Sequence, residues 1–136
     1  MKSRGLTHIQ LTVSDLARSV HFYRSVLGLT TKFEGDEDVA FLTTPGTCDV
    51  VTLSASGDRA RAGDLGGVAH FGFHVEDLVD LQQVLEQAAK AGGRIIRQGT
   101  RTTPDCLEES WAFIADPDGY TVEVYSPTAR VASTSD

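Results

Sequence analysis

Two histidines and a glutamate, His8, His70 and Glu123, are the residues of this sequence best suited to bind a metal ion. Imidazoles and carboxylates are ligands of Fe(II), Zn, Ni and Mn, and two histidines with one carboxylate leave coordination positions open for a substrate. Taken singly, each of these residues is more often structural than functional. Taken together they predict a metal site, because an internal repeat puts them at related positions, with Thr52 at the fourth such position.

The repeat begins with two similar segments, GLTHIQLTVSDL and GVAHFGFHVEDL. His8 and His70 differ by 62 positions, and the same offset aligns glycine, valine, aspartate and leucine residues around them. Each segment alternates two sets of side chains, as a strand with one packed face does, and then reaches an aspartate suited to cap a helix. The two helices are predicted to end at Gly28 and at Gly92-Gly93.

The second half of each copy also aligns. AFLTTPGTCDVVTLS and AFIADPDGYTVEVYS both place a proline-containing turn between two strands, at an offset of 72 before the turn and 71 after it. Thr52 therefore corresponds to Glu123. The increase in offset from 62 to 72 puts about ten extra residues in the second copy, and we expect them in the polar stretch RQGTRTTPDCLEES.

These alignments predict an α+β fold in which two tandem βαβββ modules form a cupped mixed sheet. Module one covers about residues 4–56, a linker rich in small and polar residues covers 57–66, and module two covers about 67–128. Residues 129–136 are expected to form a frayed tail. We interpret the whole chain, 1–136, as a single domain.

Composition and charge exclude several classes of function. A formal net charge of −7 disfavours nucleic acid as a partner. No apolar run approaches the roughly 20 residues of a membrane span, and the first residues lack the apolar region of a secretory signal. Cys48 and Cys106 belong to no C-x-x-C pair and are predicted to be unbridged thiols. We therefore expect a cytoplasmic protein that does not bind membranes.

Three segments, THIQLTVSDLARSVHFYRSVLGL, AHFGFHVED and AFIADPDGYTVEVYSP, resemble the vicinal oxygen chelate superfamily of glyoxalases, bleomycin resistance proteins and extradiol dioxygenases. The resemblance extends from Arg4 to Thr128. It implies paired βαβββ modules, usually a homodimer, and one divalent metal ion such as Fe(II), Mn, Zn or Ni. His8, His70 and Glu123 fall on the ligand positions of the family, and a small-molecule substrate would chelate the ion.

Thr52 departs from the lactoylglutathione lyases of this superfamily, which have a glutamate at that position. Because threonine cannot replace the carboxylate as a base, the resemblance implies a different reaction, dioxygenase-like or glyoxalase/lyase-like. Gln10 stands where the fosfomycin-modifying transferases have threonine, and the residues near Ala55 lack the further catalytic histidine of the ring-cleaving enzymes. The alternative is a bleomycin-resistance-type protein that binds a small molecule without metal or catalysis.

Further polar and aromatic residues are expected near the predicted ligands because they share strand faces with them or lie along the groove. His74, Gln10 and Tyr125 are candidate catalytic or substrate-contacting residues. Thr12 and Trp111 are candidates for the wall of the substrate pocket.

Overall fold

The computed structural model describes residues 1–130, with side chains through residue 127. The elements of module one are β1 (His8–Thr12), α1 (Leu16–Leu27), β2 (Thr30–Phe33), β3 (Val39–Thr43) and β4 (Val50–Ser54). A short 3₁₀-helix, Arg59–Arg61, lies in the linker. The elements of module two are β5 (Phe71–His74), α2 (Leu78–Lys90), β6 (Arg94–Thr102), β7 (Leu107–Ala115) and β8 (Thr121–Arg130).

Each module forms its own four-stranded sheet, with strand orders β1-β4-β3-β2 and β5-β8-β7-β6. In both sheets the first and last strands of the module are parallel neighbours and the other neighbours are antiparallel. The α+β prediction and its two βαβββ modules are confirmed. The bounds differ slightly, since β5 begins just after His70 and β8 continues to Arg130. Most of the tail predicted at 129–136 lies outside the described residues.

Both helices begin where the sequence signals predict. Asp15 and Asp77 are the N-caps, and each side chain accepts a hydrogen bond of 3.0 Å from a backbone N–H in the first helical turn. Gly28 ends α1 in the left-handed conformation, at φ 69°, which glycine adopts without the steric cost of a Cβ. Neither helix of the described chain is long and apolar enough to cross a membrane.

The polar stretch of module two extends a hairpin. Strands β6 and β7 have nine residues each, whereas β2 and β3 have four and five. Arg97 is the cross-strand partner of Phe113, and Arg101 is the partner of Glu109. The extra residues therefore carry arginines onto the second sheet. The connection between the strands contains Cys106, which is an exposed free thiol like Cys48, as predicted.

The apolar core lies on the helix side of both sheets and is shared by the two modules. Alternate residues of β4 and β8 are buried in it, namely Val51, Leu53, Val122 and Val124. The residues between them, Thr52 and Glu123, therefore face the opposite side. Helices α1 and α2 contact each other, and Phe22 packs so closely on Gly93 that a Cβ there would lie 2.5 Å from its ring. The modules of one chain thus join through their helix sides.

Candidate metal centre

Equivalent rows of side chains cross the polar faces of the two sheets. The first row is Gln10, Thr52 and Phe41, and the second is Gly72, Glu123 and Phe113. The rows correspond residue by residue to the sequence offsets, so the predicted equivalence of Thr52 and Glu123 is confirmed. His8 and His70 are likewise equivalent, since each lies two residues before the first member of its row.

His70 and Glu123 meet on the polar face of the second sheet. His70 Nε2 lies 3.1 Å from Glu123 Oε2. The His70 ring packs edge-on against Phe113, with ring centroids 4.9 Å apart. The Glu123 side chain is 13% exposed and that of His70 is 38% exposed. A nearly buried carboxylate is thus held against an imidazole that solvent and small molecules can reach.

Arg101 supplies positive charge to this carboxylate. Its Nε donates a hydrogen bond of 2.8 Å to Glu109 Oε2, and a terminal nitrogen lies 2.9 Å from Glu123 Oε1. The hydrogen bond to Glu109, followed by the contact with Glu123, raises the pKa of the guanidinium, which stays charged. Despite the ion pair, Glu123 Oε1 is buried and no donor among the described residues is aligned with it. The two oxygens of this carboxylate therefore face different groups, Oε1 the Arg101 guanidinium and Oε2 the His70 imidazole.

The donor set fits a divalent metal ion. Imidazole nitrogen and carboxylate oxygen bind such ions at about 2.1 Å, so two ligands at a right angle around one ion are about 3 Å apart. The observed separation of His70 Nε2 and Glu123 Oε2 is 3.1 Å.

His8 does not join this pair within one chain. It is exposed, and its Nδ1 lies 2.8 Å from Thr7 Oγ1. It lines a cleft of about 460 Å³ between β1 and β5, together with His74. Within the described residues, no three His, Cys, Asp or Glu side chains are close enough to share a metal ion. The structure thus brings two of the three predicted ligands together and leaves the third apart.

The other candidate residues of the second sheet lie beside Glu123. The rings of His74 and Tyr125 stack, with centroids 4.8 Å apart and planes at 9°. Trp111 is half-buried and is the cross-strand partner of Tyr125. These three side chains and Glu123 share one face, which makes an aromatic wall next to the carboxylate.

The candidates of the first sheet are more dispersed. Gln10 is exposed and lies on β1 opposite Thr52, which is only 4% exposed. Thr12 is half-buried and lines a separate cleft of about 400 Å³, next to the linker. Among these residues, Gln10 is therefore the one most open to a ligand.

Three residues of the second polar face, Arg97, Arg101 and Phe113, were not predicted from the sequence. The sequence signal that could have placed Arg97 and Arg101 on one face is the period of two along β6. These arginines and Gly99 alternate with Gln98 and Thr100. Because both alternating sets are polar or small, the pattern does not distinguish a strand from a loop.

Comparisons with known proteins agree with this architecture. Residues 5–124 match the family model of the Glyoxalase/Bleomycin resistance protein/Dioxygenase superfamily. The chain is 34% identical over 137 residues to the glutathione transferase FosA of Serratia marcescens, covering 96% of this chain and 87% of that one. It is 30% identical over 131 residues to a lactoylglutathione lyase of Neisseria meningitidis serogroup A, covering 87% of each. A solved glyoxalase/bleomycin resistance protein from Albidiferax ferrireducens T118 has the same fold, with a TM-score of 0.69 at 18% identity, covering 89% of this chain and 97% of that one.

Proposed function

Because the chain belongs to the Glyoxalase/Bleomycin resistance protein/Dioxygenase superfamily, we propose that it is a divalent-metal-dependent enzyme. Its substrate is a small molecule that binds the ion through adjacent oxygens, and its reaction is dioxygenase-like or glyoxalase/lyase-like. The observation that carries this proposal is the contact of His70 with Glu123, whose donor atoms are 3.1 Å apart.

A divalent ion at this position would act as a Lewis acid on the oxygens of the substrate. The side chains of the protein hold and orient the reactants. His70 and Glu123 supply one nitrogen and one carboxylate ligand, which leaves other coordination positions for the substrate. His74 and Tyr125 lie beside them and can exchange hydrogen bonds with the substrate. Trp111 extends the apolar wall that limits access of water.

In the proposed enzyme two chains form a homodimer, and His8 of one chain completes the metal site of the other. The helix sides of both sheets are buried in the shared core of one chain, so their polar faces can meet a second chain. His8 is exposed on the polar face of the first sheet and lies apart from Glu123. A two-fold dimer presents each face twice, so both sites would be completed in the same way. Gln10 would contact the substrate from the first sheet.

The proposed reaction is not that of lactoylglutathione lyase. That activity needs a carboxylate at the position of Thr52, where it serves as ligand and as base, and a threonine hydroxyl is far too weak a base near neutral pH. Thr52 is also only 4% exposed, which limits its access to a substrate.

The decisive experiment mixes two variants that each lose one ligand. His8→Ala and Glu123→Ala, purified separately and supplied with Mn(II), should each lose most of their bound metal, as measured by elemental analysis after desalting. When the two are unfolded and refolded together, each mixed dimer regains one intact site. Metal content should then recover to about one quarter of the wild-type value, because about half of the dimers are mixed and each has one intact site of two.

The matched control mixes His70→Ala with Glu123→Ala, which should show no recovery because both ligands come from the same chain. If the single variants lose metal but no mixture recovers it, the shared site is wrong and the metal is held within one chain. If the triple variant at His8, His70 and Glu123 keeps the wild-type metal content, the proposed site itself is wrong.

Binding of catechol distinguishes the enzyme from a metal-free binding protein. A substrate held through two metal–oxygen bonds should bind the metal-loaded protein much more tightly than chelator-treated protein. Calorimetry with catechol under anaerobic conditions measures the difference. Equal affinity in both forms would contradict the metal-chelation proposal and favour a bleomycin-resistance-type role, in which apolar and aromatic walls hold the ligand.

A further inference from the structure

Arg97 lies on the same polar face as Glu123, across the intervening strand β7. Its cross-strand partner is Phe113, whose other partner is Glu123. Neighbouring strands are about 4.8 Å apart, so the backbones of Arg97 and Glu123 are separated by roughly 10 Å. The Arg97 guanidinium and the His70 ring, which contacts Glu123, both pack on Phe113, so a small molecule on this face can reach both.

Aromatic contacts hold the guanidinium of Arg97 in place. Its Cζ lies 4.9 Å from the ring centroid of Phe113 and 5.7 Å from that of Trp111. Gly99 permits this arrangement, because a Cβ there would come within 2.8 Å of Trp111 Cζ2. The indole lies against the backbone of β6 between the two arginines of that strand. A cation on aromatic faces is oriented without losing its charge.

The charge of Arg97 is not neutralised within the described chain. None of the described carboxylates forms an ion pair with it, whereas Arg101, four residues along the same strand, contacts both Glu109 and Glu123. Within the described residues, Arg97 is therefore an exposed and oriented cation without an ion-pair partner, and it lies on the face of the candidate metal centre.

We propose that Arg97 determines substrate specificity by binding an acid group of the substrate, such as a carboxylate, while adjacent oxygens at the other end chelate the metal. The chelation of the metal by the substrate rests on the proposed function. A guanidinium is planar and binds a carboxylate through two parallel hydrogen bonds, which gives both affinity and orientation. The substrate class is thus an anionic oxygen chelator, and neutral chelators of the same shape bind less tightly.

The test compares two probes of nearly the same shape, 3,4-dihydroxybenzoate, which carries a carboxylate, and 3,4-dihydroxybenzamide, which carries a neutral amide. Calorimetry on Mn(II)-loaded wild-type protein should show that the benzoate binds about tenfold more tightly than the benzamide, since charge-assisted hydrogen bonds are roughly twice as strong as neutral ones. In Arg97→Met, whose unbranched side chain can still cover the rings, the benzoate should lose about tenfold in affinity and the benzamide should be unaffected.

Two further variants complete the design. Arg24→Met removes the same charge from the exposed side of α1, so it controls for net charge and should keep the preference for benzoate. Arg97→Lys keeps the charge but not the planar fork, and it should show an intermediate preference.

The outcomes separate this inference from the proposed function. If each probe binds the metal-loaded and the metal-free protein with the same affinity, the metal proposal fails. A preference for the benzoate over the benzamide that depends on Arg97 would still support the acid-binding role. If binding depends on metal but Arg97→Met keeps the benzoate preference, or loses both probes equally, the role of Arg97 is overturned.

Discussion

Removing one hydroxyl, in the variant Tyr23→Phe, tests how the two modules of a chain are held together. The Tyr23 hydroxyl, on α1, donates a hydrogen bond of 2.7 Å to Asp116 Oδ2 in the turn before β8. Tyr23 is fully buried and Asp116 is 3% exposed. The ring remains in the variant, so the packing of the core is retained and the measurement reports mainly the hydrogen bond.

The expected cost follows from what Asp116 loses and keeps. Its other oxygen, Oδ1, still accepts hydrogen bonds of 3.0 Å from the backbone N–H groups of Asp118 and Tyr120. Oδ2 loses its buried donor. A hydrogen bond to a charged group contributes about 1.5–3 kcal/mol, so we expect the free energy of unfolding at pH 7 to fall by about 2 kcal/mol. For a chain of this size, that corresponds to a decrease in Tm of roughly 6 °C.

The cost should depend on pH because Asp116 titrates. Burial raises the pKa of Asp116 above its ordinary value, although hydrogen bonds from Tyr23 and from the turn amides oppose this effect. An acid whose native pKa is raised binds protons more readily when folded, so its contribution to stability falls as pH rises through the window between the unfolded and native values. Loss of the Tyr23 donor raises the native pKa further. Tyr23→Phe should therefore be more destabilising at pH 7 than near pH 4.

Urea unfolding of wild type and variant at both pH values measures this difference, and effects of other groups common to the two proteins cancel. Tyr120→Phe is the matched control, since its hydroxyl donates a hydrogen bond of 2.8 Å to the neutral backbone carbonyl of Thr12. It should cost about 1 kcal/mol at either pH. An equal cost of Tyr23→Phe at both pH values, or one no larger than that of Tyr120→Phe, would refute the reasoning.

Two other predictions concern Thr52 and Asp49. With methylglyoxal and glutathione, and with Ni, Zn, Co or Fe supplied, we expect no lactoylglutathione lyase turnover, because Thr52 provides no carboxylate; robust turnover in this assay would show that another base serves. Burial raises the pKa of Asp49, but hydrogen bonds led by the backbone N–H of Thr44 outweigh it and hold the pKa below its ordinary value. Its stabilisation is thus present above the unfolded pKa and is lost as pH falls. Asp49→Asn should lower the free energy of unfolding by about 1 kcal/mol at pH 7 and by much less near pH 3, as urea unfolding measures; a loss that persists in acid would contradict this.

Much of the fold could be predicted because its signals are local and occur twice. The N-caps Asp15 and Asp77 and the left-handed Gly28 act within one turn of their own helices. The alternation around His8 and His70 needs only the period of two of a strand. A repeat adds information that a single copy lacks, since it relates positions that are distant in the chain. It thereby identified Thr52 and Glu123 as equivalent positions of the two modules.

What the sequence could not predict depends on contacts between distant segments. Arg101 acts on Glu123 only because the extended β6–β7 hairpin carries its guanidinium across the sheet, and polar residues on both sides of β6 give no periodic signal. The separation of His8 from Glu123 follows from how the modules pack through their helices, as in the close fit of Phe22 on Gly93. Such packing depends on three-dimensional shape, which hydrophobic pattern alone does not specify.

Glu123 contacts both His70 and Arg101 on the polar face of the second sheet. Without a metal ion, Arg101 compensates two carboxylates, Glu109 and Glu123, that would otherwise repel each other in an acidic protein. In the proposed metal site, an ion and Arg101 would both attract Glu123. The ion pair with Arg101 would weaken metal binding by some factor, and bound metal would weaken the ion pair by the same factor. Glu109 would lower the free-energy cost of releasing Glu123 from Arg101 to the ion, because Arg101 would keep its hydrogen bond to Glu109. Arg97 has no such partner among the described residues, so under the proposal above its charge is available to an anionic ligand.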